Sequence, residues 1–279
     1  LNHPVNLAYE AATADLQDVN MIDPFHLEAY GVTTVNYNRD VEAFPVLVAM
    51  FEKILGQCPY KSPTDMGVNM VGNCIVDHDA AKEASCQEIV RRYYAALCEL
   101  KQGKGNGETV RKLDLLMRKV GVTPDIRRVV QPALDRAAET EAPAAAMELP
   151  DGTIVTGRTS DLLGAVSALL LNALKKLAGL PDELHMISPV VLDPITHLKV
   201  DHLGNRNPRL HSDETLIALS ICAATNPMAQ MAMEQLPKLR GCDVHSTVVL
   251  SSVDENTFKR LGVNLTCEPK YQTKKLYHG

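Results

Sequence analysis

Tryptophan is absent from this 279-residue chain, and aromatic residues make up only 4% of it. Any core must therefore be aliphatic, and an apolar content of 46% supplies enough Leu, Val, Ala and Met to build one. There is no basic block and no basic face studded with aromatics, and the formal charge is −6. That balance argues against a nucleic-acid scaffold. No CxxC pair occurs, and the seven cysteines are scattered and odd in number. They read as reduced thiols of a cytoplasmic protein. No signal peptide is evident, and the longest nearly apolar run, LLGAVSALLLNAL (162–174), is too short to span a bilayer. The chain opens on LNHPVNLAYE without a methionine and reads as a piece of a longer protein.

What is present falls into two parts. In residues 1–140, Asn-rich loops give way to helices. Asp40 is expected to cap a helix with Val41, Phe44, Val48, Phe51 and Leu55 on its apolar face and Gly56 at its end. Further helices are expected over 79–100, over 108–120 with Gly121 as C-cap, and from Thr123-Pro124 to about 139. TEAPA (140–144) marks a boundary. Residues 141–279 then run hairpin (AAAMEL, PDG, TIVTG), a nearly all-apolar helix 161–178 capped by Ser160, and a short strand near 184–187. A helix opened by Asp193-Pro194 follows, then one capped by Ser212 and one opened by Asn226-Pro227. A strand HSTVVL (245–250), a helix capped by Asp254 and a strand VNLTC (263–267) close the chain. This order predicts a three-layer α/β domain behind a helical N-terminal segment. It is similar to the cytidine-deaminase-like fold, but without that fold's H-x-E and P-C-x-x-C zinc signature.

The densest cluster of chemical groups is DPITHLKVDHLGNRNPRLHSDETL (193–216). On a helix, Asp193, His197 and Asp201 share one face. Arg206, Arg209, Asn205 and Asn207, with the helix start at Ser212, form a candidate anion site. His211 is the candidate acid or base, with His197 and Asp201 orienting it. The competing reading is a polar interhelical loop with local ion pairs. Lys61 and Thr64 in YKSPTDMGVN, and Asn38 and Arg39 in VNYNRD, are further candidate ligand contacts, with ordinary turns and caps as the alternative. Cys242, His245 and Cys267 lack an evident fourth zinc ligand and read as buried core, so no metal site is assigned. Ser251 and Cys267 end strands, where nucleophiles often lie, but no glycine-flanked elbow surrounds either.

Five runs carry a resemblance: AATADLQDVNMIDPFHLEAYG (11–31), VNYNRDVEAFPVL (35–47), CPYKSPTDMGVNMVG (58–72), HLKVDHLGNRNPRLHSDE (197–214) and LTCEPKYQTKKLYHG (265–279). They resemble the bacterial family called domain of unknown function 1846, along the whole length of the chain. The family has no established activity, and some members carry a label of ATP-dependent zinc protease. Neither HExxH nor HxxEH occurs here, so the sequence does not support that label. The resemblance implies a longer protein with a GSGK-like phosphate loop in an N-terminal half. This chain lacks that loop and looks like the C-terminal part, so a nucleotide cofactor would be bound mainly by the half that is missing.

The expected function is that of an enzyme or enzyme part binding a small anionic, phosphorylated or nucleotide-like ligand. The expected partners are that ligand, the N-terminal half of the same protein and further copies of the chain, with neither nucleic acid nor membrane. The alternative is a non-catalytic oligomerisation or regulatory module that associates through its all-apolar helix.

Overall fold

The computed structural model describes residues 37–61, 66 and 78–272. They form two compact units. One holds the described residues up to Ala96 together with Gly105–Ile126; the other holds Leu97–Lys104 and the residues from Arg127 onward.

The first unit is helical. Helix α1 (Tyr37–Leu55) buries Phe44 and Val48, as the apolar spacing predicts, but leaves Leu55, in its last turn, exposed; it ends at Gly56 in the left-handed region (φ 76°). Asp40 lies inside α1 rather than at its cap, because the helix starts earlier. Helix α2 (His78–Lys101) buries Ile89, Val90 and Tyr94. In α3 (Gly107–Val120) the Asn106 side chain accepts a bond from Thr109 N at 3.0 Å, and Leu113, Leu116 and Met117 face the core.

Thr123-Pro124 opens only a single 3-10 turn, Pro124–Ile126, which ends the first unit; in the second unit α4 spans Val130–Thr140. The break lets Arg127 turn inward. Its guanidinium is buried and donates to Asp243 Oδ1 (3.3 Å), Val244 O (3.3 Å) and Asn264 O (2.9 Å). The hairpin forms as expected. Strand β1 (Ala144–Glu148) pairs antiparallel with β2 (Ile154–Arg158), and Gly152 (φ 80°) completes the turn with its N–H on Leu149 O. Strand β3 (Asp243–Ser246) adds antiparallel to β1, and β4 (Asn264–Cys267) adds parallel to β3, giving the order β2-β1-β3-β4.

The period of two along β1 decides what covers each face. Ala146 packs with Val129, Ala133 and Ile154 on the α4 side. Ala145 and Met147 belong to the larger core with α5 (Ala165–Leu177) on the opposite side. The protein is therefore a mixed α/β structure, and the sheet domain is three-layered. Helix α5 is apolar nearly all round because it is covered: Leu169, Leu170, Ala173 and Leu174 have no exposed surface. It cannot serve as the oligomerisation face that its composition suggested. It also lies so close to β2 that a Cβ on Gly157 would sit 2.2 Å from Leu169 N. Gly157→Ala must push α5 off the sheet and is expected to cost about 3 kcal/mol, measured as a lowered urea midpoint. An unchanged midpoint would refute this packing.

Several boundaries differ from the sequence expectation. Helix α5 begins at Ala165 with Gly164 as cap, and the Ser160 hydroxyl instead accepts from Leu163 N at 3.1 Å. No strand forms at 184–187. Helix α6 (Pro189–His197) is capped by Ser188, so Asp193-Pro194 falls inside it, and the chain continues as a π-helical turn, Leu198–His202. Helix α7 (Ser212–Ala223) has His211, not Ser212, at its cap position, and α8 (Pro227–Met233) starts at Asn226-Pro227 as predicted. Strand β3 stops at Ser246, and Val248–Leu250 leave the sheet to wall a cavity. Helix α9 (Ser252–Arg260) is capped by Ser251, whose hydroxyl accepts from Asp254 N at 3.2 Å. That frees the Asp254 side chain for another use.

Candidate functional site

Asp254 reaches back from the first turn of α9 to the start of α7. Its carboxylate has four side-chain or backbone donors. Ser212 N (2.8 Å) and Ser212 Oγ (2.7 Å) donate to Oδ1, and Ser251 Oγ (2.8 Å) and His211 Nδ1 (2.9 Å) donate to Oδ2. Burial alone would raise the carboxyl's pKa, but the bonds and charge from His211, with those from Ser212, outweigh it and hold Asp254 below its usual range. Asp254 therefore stays an acceptor, and the Nδ1 atom of His211 must carry the proton between them. The hydrogen bond to Asp254 in turn raises the His211 pKa against the opposing effect of burial.

The imidazole lines a cavity of about 200 Å³. One wall is apolar, from Val248, Val249, Leu250 and Val166. The other is polar, from Asn205, Asn207, Arg209, His211 and Ser251. The first turn of α5, Gly164 to Val166, also borders the space and has no side-chain cap. Arg209 is half-buried; its Nε donates to Ser160 O (2.6 Å), which fixes the plane of the guanidinium fork. Asn205 and Asn207 shape the approach: Asn207 N donates to Asn205 Oδ1 (2.9 Å), and Arg209 N donates to Asn207 Oδ1 (3.1 Å).

The structure thus brings together Asn205, Asn207, Arg209 and His211 in one cavity, with Ser212 beneath them. It does not bring in the others. His197 and Asp201 pair with each other on the exposed face of α6 and its π-helical turn. The carboxylate that orients His211 is Asp254 instead. Arg206 is exposed and is not among the residues that line the cavity. The start of α7 offers less to an anion than its sequence suggested, because Ser212 N is already bonded to Asp254 and Glu214 N to Asp213 Oδ1 (2.8 Å). Lys61 belongs to the first unit, where it lines a cavity with Lys82 and Lys119. Asn38 and Arg39 fall in the first turn of α1, and Thr64 lies outside the described residues.

The other candidates are structural. Cys267 is buried, which pushes its thiol pKa well up and leaves it a poor nucleophile. His245 has no exposed surface; its Nδ1 bonds Thr266 Oγ1 (2.9 Å) and its Nε2 pairs with Glu268 (3.3 Å). No group of three or more metal-ligating side chains occurs among the described residues. Ser251 is not placed as a triad nucleophile, since its hydroxyl meets His211 on Nδ1 (3.3 Å), the side occupied by Asp254, rather than on Nε2. One participant was missed by sequence reasoning: Asp254, which reads locally as a helix cap. The Ser251-x-x-Asp254 spacing was the available signal that Ser251 could take over the capping role.

Two family models match the chain: that described as domain of unknown function DUF1846, N-terminal, over residues 1–121, and that described as domain of unknown function DUF1846, C-terminal, over residues 125–277. Both regions are therefore present, not the C-terminal one alone. Similar proteins include a UPF0371 protein of Streptococcus pneumoniae (strain JJA), 57% identical over 277 residues, and a UPF0371 protein of Streptococcus thermophilus (strain ATCC BAA-491 / LMD-9), 58% identical over 277 residues. In each case the match covers 99% of this chain and 56% of the relative, so the chain spans little more than half the length of these proteins. Neither name carries support for a zinc-protease activity.

Proposed function

The chain belongs to the DUF1846 family, and from that premise we propose that its second unit holds an acid–base site for a small anionic ligand. The observation that carries this reading is His211: Nδ1 is committed to Asp254, while Nε2 has no hydrogen-bond partner among the described residues and the ring borders a cavity that Arg209 also lines. A histidine held in this way can take or give a proton at Nε2, because the buried carboxylate fixes its tautomer and stabilises the imidazolium. Arg209 supplies a fixed fork for a carboxylate or phosphate, and the first turn of α5 adds partial positive charge on the same side. Val248 and Leu250 offer apolar surface to the rest of the ligand. When His211 is protonated it balances the charge of Asp254, and Arg209 then leaves the cavity with one net positive charge.

Size favours a small ligand. A cavity of about 200 Å³ is below the ~300–1,000 Å³ typical of pockets for drug-sized molecules. Phosphate, small phosphate esters and short carboxylates fit this limit better than a whole nucleotide. The test is a thermal-shift series with inorganic phosphate, glycerol phosphate, short carboxylates and nucleotides. A phosphate or small ester at one hundred times its Kd should stabilise the fold by about 2.7 kcal/mol, with nucleotides doing no better than phosphate alone. No shift with any anion at millimolar concentration would overturn the reading.

A further inference from the structure

Lys199 is a lysine with 3% of its surface exposed, and the acid–base site as described does not use it. Lysine is rarely buried unless its charge is met, so its partners are informative. Its Nζ donates to Glu214 Oε2 (2.6 Å) and to Arg209 O (2.7 Å). The same Glu214 Oε2 accepts His211 N (2.8 Å). The backbone carbonyl of Lys199 accepts Asn205 N (3.0 Å). One residue therefore grips the cavity loop at both ends, at Asn205 through its main chain and at Arg209 through its side chain. Through a single carboxylate oxygen it also reaches the backbone of His211.

The π-helical turn makes this possible. Helix α6 ends on the exposed His197, and the wider turn at Leu198–His202 carries Lys199 inside while Leu198 and Leu203 stay exposed. Such turns are rare and occur often at functional sites. The neighbouring residue Leu210 is also held, with its N–H on Leu162 O (2.9 Å) and its carbonyl accepting Ser167 Oγ (3.0 Å). Residues 209 to 211 are thus fixed on three sides, and Lys199 with Glu214 supplies a charged clamp on the backbone of Arg209 and His211.

We propose that Lys199 is the positioning residue of the site: it couples the Asn205–Arg209 loop to the His211–Asp254 pair through Glu214, so that anion contact and proton transfer share one geometry. This rests on the reading of the cavity as an anion-binding acid–base site. The charged groups around His211 are Asp254, Asp213, Glu214, Arg209 and Lys199. Lys199 opposes the protonation of His211 and Glu214 favours it.

The experiment compares wild type, Lys199→Met and Glu214→Gln, using NMR titration of His211 and calorimetry with inorganic phosphate. The two substitutions are expected to move the His211 pKa in opposite directions, up in Lys199→Met and down in Glu214→Gln. Lys199→Met should also weaken phosphate binding at least about tenfold, although Lys199 does not line the cavity. Removing either charge shifts the His211 pKa whatever the role of Lys199, so phosphate affinity decides: a buried lysine serving the fold alone would lower stability in both variants and leave the phosphate affinity of the folded fraction within about twofold of wild type, and that result would overturn the proposal. If Lys199→Met fails to fold, phosphate binding by Glu214→Gln decides by the same criterion. If wild type binds no phosphate, the anion reading itself fails; if wild type binds it and both variants bind it equally well, only the positioning role of Lys199 fails.

Discussion

Replacing Arg209 with alanine is expected to reduce the affinity for inorganic phosphate by about 10- to 100-fold, while Arg206→Ala changes it by less than about twofold. Both are arginines of the loop between the π-helical turn and α7, and sequence reasoning treated them alike. In the structure Arg209 lines the cavity and is anchored by Nε to Ser160 O, whereas Arg206 is exposed and does not line it. Losing a hydrogen-bonded charged group costs about 1.5–3 kcal/mol, and about 1.4 kcal/mol is a factor of ten in affinity. Exposed charges contribute far less. Arg209→Lys separates charge from geometry. A lysine keeps the charge but cannot both hold Ser160 O and present a fork, so it should recover only part of the loss. Isothermal calorimetry measures all three variants. Equal losses in Arg206→Ala and Arg209→Ala would move the site out of the cavity and back to a general electrostatic attraction.

The second large effect is expected from Asp254→Asn, in both stability and proton chemistry. An asparagine can still accept Ser212 N and Oγ through one oxygen, but its amide nitrogen cannot accept from Ser251 or from His211 Nδ1. Breaking a buried pair on one side costs about 3–5 kcal/mol, which for a unit of this size lowers Tm by on the order of 10 °C. The amide would donate to Nδ1 and leave the proton of the neutral ring on Nε2, so the ring could no longer accept a proton from a ligand there.

The pH dependence of the wild type follows from the two shifts. Asp254 has a depressed pKa when folded, so its contribution is present above the usual carboxylate range and is lost as pH falls through the lower folded value. His211 has a raised pKa when folded, so its contribution is present below about 6.5 and is lost as pH rises through the folded value. Stability from the pair should therefore peak in mildly acidic solution and fall on both sides. Asp254→Asn should flatten that dome in calorimetric scans across pH. A variant with wild-type Tm and an unchanged dome would show that Asp254 does not orient His211.

Local chemistry made much of the scaffold legible. The PDG turn, the Gly56 and Gly121 helix ends, the Asn226-Pro227 start and the helical spacing of Phe44 and Val48 depend on backbone preferences and periodicity acting over a few residues. The cavity loop was legible as well, because Asn205, Asn207, Arg209 and His211 are neighbours in the chain. Errors arose where a residue has two possible uses. Asp254 and Ser251 can each cap α9, and only the presence of His211 and Ser212, some forty residues away in sequence, decides that Ser251 caps and Asp254 turns inward. The run Val248–Leu250 is apolar enough for a strand, yet it serves as a cavity wall beyond the end of β3.

The sequence by itself determined the α/β class, the hairpin, the identity of most helices and the loop that carries Arg209 and His211, since each follows from contacts between near neighbours. The tertiary structure alone decided which carboxylate serves the histidine, which arginine lines the cavity, and that Lys199 is buried rather than solvated. Those outcomes depend on desolvation and on bonds closed across 10 to 43 residues, as between Lys199 and Arg209 or Asp254 and His211. A side chain's charge is visible in the sequence, but its partner is chosen only when the fold removes water from around it.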